Sequence, residues 1–203
     1  MPPWIEYLAC AVCAVSGVLA AEGKRIDLFG VLVLALVTAV GGGTIRDICL
    51  DTQIFWLKNP GTVLSAIVAA VATFLAARYI KFPSRALLIA DAFGIALFGI
   101  VGTEKALLLG ASEVSAVLLG IVTGCAGGML RDVLRGEIPW VFRPEVHLYA
   151  TTIFFGAVAY VGLVRLFPES ESNRYIGMVI ILLLRLLAMH LKLKLPVFRM
   201  RGE

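Results

Sequence analysis

Seven long apolar windows, each nearly free of charge, follow one another along the chain with only short polar stretches between them. They run from Pro3 to Ala21, Leu28 to Ile45, Asn59 to Ala77, Arg85 to Glu104 with Asp91 inside, Val114 to Leu130, Val146 to Val164, and Tyr175 to Leu191 with Arg185 inside. Each is close to the roughly 20 residues that a helix needs to cross about 30 Å of hydrocarbon. In lipid the backbone finds no water, so a spanning segment is a helix or a strand of a closed barrel, and the alternating strands of a barrel are absent. The pattern predicts an all-α integral membrane protein with seven transmembrane helices, forming a single membrane domain over residues 1–203.

Composition agrees, with 60% hydrophobic residues, 16% charged residues and a mean hydropathy of +0.95. The net charge of +4 gathers on no single water-facing surface, so it does not point to nucleic acid and instead reports orientation. Twelve of the 18 Lys and Arg residues (Lys24, Arg25, Arg78, Lys81, Arg85, Arg131, Arg135, Arg143, Lys192, Lys194, Arg199 and Arg201) fall on the side of the C-terminus. Five (Arg46, Lys58, Lys105, Arg165 and Arg174) fall on the other side. The excess predicts a multi-pass protein of the inner (plasma) membrane, with its N-terminus outside and its C-terminus in the cytoplasm. No basic stretch precedes the first apolar run, as a cleavable signal would require.

The chain repeats itself. VTAVGGGTIRDICLDTQIFW (37–56) aligns with VTGCAGGMLRDVLRGEIPW (122–140) through VT, GG, RD and a closing Trp, at an offset of 85 residues that becomes 84 after a one-residue deletion. Upstream, Gly17 and Glu22 match Gly99 and Glu104. The match relates a first three-helix unit, 3–80, to a second, 85–166, and leaves 175–191 as an extra seventh helix. Three helices per unit is an odd number, so the second copy enters the membrane inverted, an arrangement whose sites lie near the midplane between the halves.

Read from Asp27 to Trp56, the second helix holds 30 residues, about 45 Å, too long for a straight crossing. Its midpoint falls on Gly41, Gly42 and Gly43, and that of the fifth helix, read from Ser112 to Trp140, falls beside Gly124, Gly127 and Gly128. Glycine weakens a helix by about 1 kcal/mol relative to Ala, so both helices are expected to break or kink there and to face a polar path. One turn on, about 6 Å from the midplane, sit Arg46 with Asp47 and Arg131 with Asp132. Charges at that depth mark function, and sequence neighbours do not face one another on a helix, so each should find a partner elsewhere, either pinning helices or also lining a path. Asp91 and Arg185 lie at matching depths and are expected to pair, unless Arg185 snorkels to the surface.

Cys10 and Cys13 have CxxC spacing but no second pair to complete a metal site, and read as helix-packing thiols. His147 and His190 read as interfacial. No nucleophile motif, HExxH or phosphate loop occurs, so neither an enzyme nor a cofactor is expected.

VTAVGGGTIRD, DAFGIALFGIVGTEKAL and VTGCAGGMLRDVLRGEIP together resemble the prokaryotic relatives of the trimeric intracellular cation (TRIC) channels, a family that also carries a "glycine transporter" label. The resemblance covers nearly the whole chain. It implies a homotrimer with one pore per protomer, passing monovalent cations such as potassium or sodium, lined by second and fifth helices kinked at Gly41, Gly42, Gly43, Gly127 and Gly128. Ala9 stands where relatives tend to carry Asp, the counterpart of Asp91. Two functions follow. In a channel, carbonyls freed at the glycine breaks, Thr44, Asp47 and Asp132 would offer oxygen to the ion. In a carrier of glycine or another zwitterion, half-helix amides near Thr44 or Met129 would hold a carboxylate. A scaffold without a permeant would pack dry around the glycines.

Overall fold

The computed structural model describes residues 2–83, 85–143 and 148–193. In chain order the elements are α1 (Pro3–Ala20), α2 (Leu28–Cys49), a short α3 (Phe55–Lys58), α4 (Gly61–Ala77), α5 (Ala86–Leu108), α6 (Glu113–Leu134), a 3-10 turn (Trp140–Phe142), α7 (Ala150–Leu166) and α8 (Ser172–Leu191). No strand occurs among the described residues. The seven long helices coincide with the seven apolar windows, and α1, α2, α5, α6 and α8 are each long and apolar enough to cross a membrane. Helices α4 and α7 have 17 residues, about 26 Å and near the lower limit for a crossing. The sixth window's expected start, Val146, lies outside the described residues, as do His147, Lys194, Arg199 and Arg201.

Asp27 and Ser112 start α2 and α6 as N-caps, accepting from the amides of Gly30 at 2.8 Å and Ser115 at 3.2 Å. The far ends differ from expectation. Leu50 and Arg135 close the helices, and the next residues, Asp51 (φ 47°) and Gly136 (φ 69°), turn left-handed. The amides of Thr52 and Glu137 then reach back to the carbonyls of Asp47 and Asp132, each at 3.0 Å, completing the same six-to-one cap in both copies. Each helix is therefore 22 residues long, about 33 Å, an ordinary span that needs no break. Helical backbone runs unbroken through Gly41–Gly43 and through Gly124, Gly127 and Gly128.

Helix α1 packs among α2, α4 and α5; α5 lies along α6 and α8; and α2 crosses α6. Burial is inverted relative to a water-soluble protein. Arg46, Arg131 and Arg185 are fully buried, while Phe29, Leu108 and Val114 are more than 70% exposed on the outside. That is the distribution expected of a molecule solvated by lipid, whose charges turn inward.

Candidate functional site

The glycines mark where α2 and α6 touch. A methyl group added to Gly42 would lie 2.1 Å from the Thr123 carbonyl oxygen, and one added to Gly127 would lie 2.3 Å from that of Thr38. Thr38 and Thr123 are repeat equivalents, as are Gly42 and Gly127, so the crossing is reciprocal. Small residues here let two backbones meet, as in other membrane helix pairs. Gly43 gives way to the Phe55 ring and Gly128 to the Tyr149 hydroxyl.

One further turn along, the two Arg-Asp pairs form matching corners. Arg46 Nε donates to Asp47 Oδ1 at 2.7 Å, and the Phe55 amide donates to Asp47 Oδ2 at 2.7 Å. Arg131 Nε donates to Asp132 Oδ1 at 2.9 Å, and the Trp140 amide donates to Asp132 Oδ2 at 3.0 Å. Each guanidinium also lies over the ring it faces, Arg46 at 5.4 Å from the Phe55 centroid and Arg131 at 4.7 Å from that of Trp140. Sequence neighbours thus do bond, contrary to expectation, because a long arginine near a helix end can curl back over the last turn. The structure keeps the 85-residue offset throughout, so Trp140 corresponds to Phe55 rather than to Trp56. Trp56 instead donates through Nε1 to Thr44 Oγ1 at 3.0 Å, while Thr44 donates to the Val40 carbonyl at 2.8 Å.

These contacts revise three expectations. The carboxylates of Asp47 and Asp132 tie a helix end to the segment that follows it, and Lys105 adds a 2.8 Å ion pair to Asp47. Their oxygens and that of Thr44 are engaged within the protein. The pairs also sit about 11–13 Å from the midpoints of their helices, nearer an interface than the expected 6 Å, because the helices end sooner. Since neither helix is broken, the free half-helix amides that a zwitterion's carboxylate would need near Thr44 and Met129 do not form.

Asp91 finds Arg131 rather than Arg185. Arg131 Nη1 donates to Asp91 Oδ1 at 2.9 Å and to Ser16 Oγ at 3.4 Å. The Tyr149 hydroxyl donates to the same Asp91 oxygen at 3.3 Å. Arg185 joins through Tyr149, lying 4.9 Å from its ring centroid, and donates to the Leu148 carbonyl at 3.2 Å. Asp91 Oδ2 carries no hydrogen bond among the described residues.

Beside this network, at the α2–α6 crossing, is a cavity of about 10 Å³, room for one water molecule. Its lining includes Ser16, Thr38, Gly42, Asp91, Thr123 and Gly127. Thr38 and Thr123 donate their hydroxyl protons to the Leu34 and Leu119 carbonyls of their own helices, so their lone pairs remain as acceptors. Both threonines fall at the midpoints of their 22-residue helices. Charge does not single out these threonines in the sequence; their signal is a Thr four residues before a Gly in both copies of the repeat. Ser16, Tyr149 and Phe55 carry no periodic or motif signal that joins them to a site, and Trp140 is marked only as the residue that closes the repeat.

The family model described as "Glycine transporter" matches residues 3–78 and 88–165. The UPF0126 inner membrane protein YadS of Escherichia coli (strain K12) is 42% identical over 198 residues, covering 96% of this chain and 95% of that protein. A solved structure of the TRIC trimeric intracellular cation channel orthologue from Rhodobacter sphaeroides is 37% identical, with a TM-score of 0.86, covering 94% of this chain and 97% of that one. A second, described as showing the structural basis for conductance through TRIC cation channels, is 32% identical with a TM-score of 0.87, covering 98% of each chain. With about three quarters of its length matched by the family model and nearly all of it by these relatives, the chain belongs to the glycine transporter family of membrane proteins, that of the prokaryotic relatives of the TRIC channels.

Proposed function

We propose that this protein is a passive channel for monovalent cations of the potassium type, with one pore in each protomer of a homotrimer, running between α2 and α6. The observation that carries this reading is the midplane cavity, where hydroxyl oxygens of Thr38 and Thr123 and the carboxylate of Asp91 converge between two helices in glycine contact. Acceptor oxygens with a free lone pair, among them Asp91 Oδ2, which carries no hydrogen bond among the described residues, are what a dehydrating cation requires. The likeness to two solved channels supports the same reading. A cavity for one water is a closed path, so conduction requires α2 and α6 to part at Gly42 and Gly127. The two inverted units, 3–80 and 85–166, would then open as halves of a clamp, with the N-terminus outside and the C-terminus in the cytoplasm of a plasma-membrane protein.

Reconstitution in planar bilayers under a KCl gradient tests this. Unitary currents without added solute are expected, falling at least several-fold in a Thr38→Val, Thr123→Val double variant. Absence of current together with saturable glycine exchange would overturn the channel.

A further inference from the structure

Two large open cavities lie side by side on the outside of the molecule. The first, about 730 Å³, lies where α1 ends, α2 begins and α4 leads into the segment before α5, and is rimmed by Glu22, Lys24, Arg78, Tyr79, Lys81 and Phe82. The second, about 690 Å³, follows α1 and α5 with a wall from α8; Val12, Leu19, Phe82, Ala90, Phe93 and Met178 are among its lining, which is wholly apolar. Leu19 and Phe82 line both, so the basic pocket adjoins the apolar groove.

We propose that this pocket and groove seat one anionic glycerophospholipid, its phosphate against Arg78 and Lys81 and one acyl chain along α1 and α5. Three bases rim the pocket against one acid, Glu22. Lys24 is held by Glu137 at 3.1 Å, whereas Arg78 and Lys81 enter no ion pair among the described residues and are exposed. Their charges face the depth where a membrane carries its headgroups, and basic clusters there draw anionic lipid. Tyr79, 84% exposed, and Phe82 supply the amphipathic rings favoured at that level. A second copy of the chain would bring few free acids to the pocket. The acids described at this end of the molecule are Glu22, Asp27 and Glu137. Asp27 caps α2, and Glu137 already holds Lys24, Arg135 and Arg143.

The proposal stands on the geometry of the outer surface and is independent of whether the protein conducts. Native mass spectrometry of the delipidated full chain, titrated with phosphatidylglycerol or phosphatidylcholine of matched acyl chains, reads it directly. The wild type is expected to retain phosphatidylglycerol at least tenfold better. R78Q/K81Q is expected to lose roughly 30-fold of that retention, given the usual strength of two bases at an anionic membrane surface. Ala90→Phe, which fills the groove and leaves the charges intact, is expected to lower phosphatidylglycerol retention about as far. Equal retention of the two lipids by the wild type overturns the proposal. So does an unchanged A90F, which would mean the groove is covered by another copy. Displacement of the lipid by glycerophosphoglycerol at equal concentration would reassign the pocket to a soluble anion.

Discussion

The corner that ends α2 and the corner that ends α6 share a backbone down to individual hydrogen bonds, yet their arginines meet different surroundings. Arg131 reaches Asp91 and Ser16. At the repeat-equivalent positions Arg46 would meet Ala9 and Phe98, neither of which can accept a hydrogen bond from it, and its Nη1 and Nη2 have no partner among the described residues. The corners therefore separate two roles that one motif conceals. The Arg-Asp pair with its capping turn is architecture, common to both copies. The acid on the preceding long helix is what differs, and it alone places a carboxylate at the midplane cavity.

The largest test of this division removes the guanidinium from each corner. Arg131→Met would leave Asp91 buried without its ion-pair partner, while Asp132 keeps Arg135 at 3.7 Å and the Trp140 amide; a loss of about 3–5 kcal/mol is expected, seen as failure to recover monodisperse protein. Arg46→Met should stay within about 1 kcal/mol of wild type, because Asp47 retains Lys105 and the Phe55 amide while a poorly partnered buried charge is removed. Equal losses would show that the corners are equivalent after all.

Next in size, Gly42→Ala and Gly127→Ala should each cost about 1–3 kcal/mol, since the new methyl meets a backbone carbonyl that cannot step aside. The two costs should agree, because the contact is reciprocal. Gly41→Ala should cost less: its methyl would meet only the end of the Leu130 side chain, and the equivalent position in the second copy is already Ala126. Thermal unfolding in detergent ranks the three, and a Gly41 variant as damaged as the others would argue for a backbone role at the glycines instead of close approach.

Ala9→Asp would give the first corner the acid it lacks. With the guanidinium of Arg46 partly unbonded and Ala9 at the position equivalent to Asp91, a net gain of about 1 kcal/mol is expected, the hydrogen bonds outweighing the burial of a carboxylate. A rise in the unfolding midpoint that disappears in Arg46→Met, Ala9→Asp would tie the gain to that pair. A loss in the single variant would place Arg46 out of reach.

The residues explain which parts of this were legible beforehand. Charge-free windows fixed the seven helices because lipid tolerates nothing else at that length. The doubled VT, GG and RD exposed the repeat because Gly, Arg and Asp are too costly in a membrane to recur there by accident. What the glycines do was not legible, because a glycine that lets helices touch and one that lets a helix break read alike; only the left-handed turns at Asp51 and Gly136, which shorten both helices, decide between them. Asp91 was visible as a buried charge, but its partner depended on a tertiary contact across α5 and α6 that no spacing encodes.

The smallest predicted effect lies at the end of the second corner, where Glu137 takes the place held by Thr52 in the first. Glu137 binds Lys24 at 3.1 Å, Arg135 at 3.0 Å and Arg143 at 3.0 Å, and so ties the segment between α1 and α2 to the end of α6. Partial burial raises its carboxyl pKa, but hydrogen bonds from Arg143 and Lys24 and the charges of Arg135 and Lys24 outweigh that and leave it below the usual carboxylate range. A pKa lowered on folding means that the carboxylate stabilises the fold above the ordinary carboxylate range, with the contribution lost as pH falls through the lowered value. Glu137→Gln should therefore cost less than about 1 kcal/mol at neutral pH, as expected of ion pairs open to water, and the difference from wild type should vanish on acidification below the carboxylate range. Thr52→Glu in the first corner should gain less, since Leu50 stands where the second corner has Arg135; an equal gain would mean that the capping turn itself, common to both corners, favours an acid at this position.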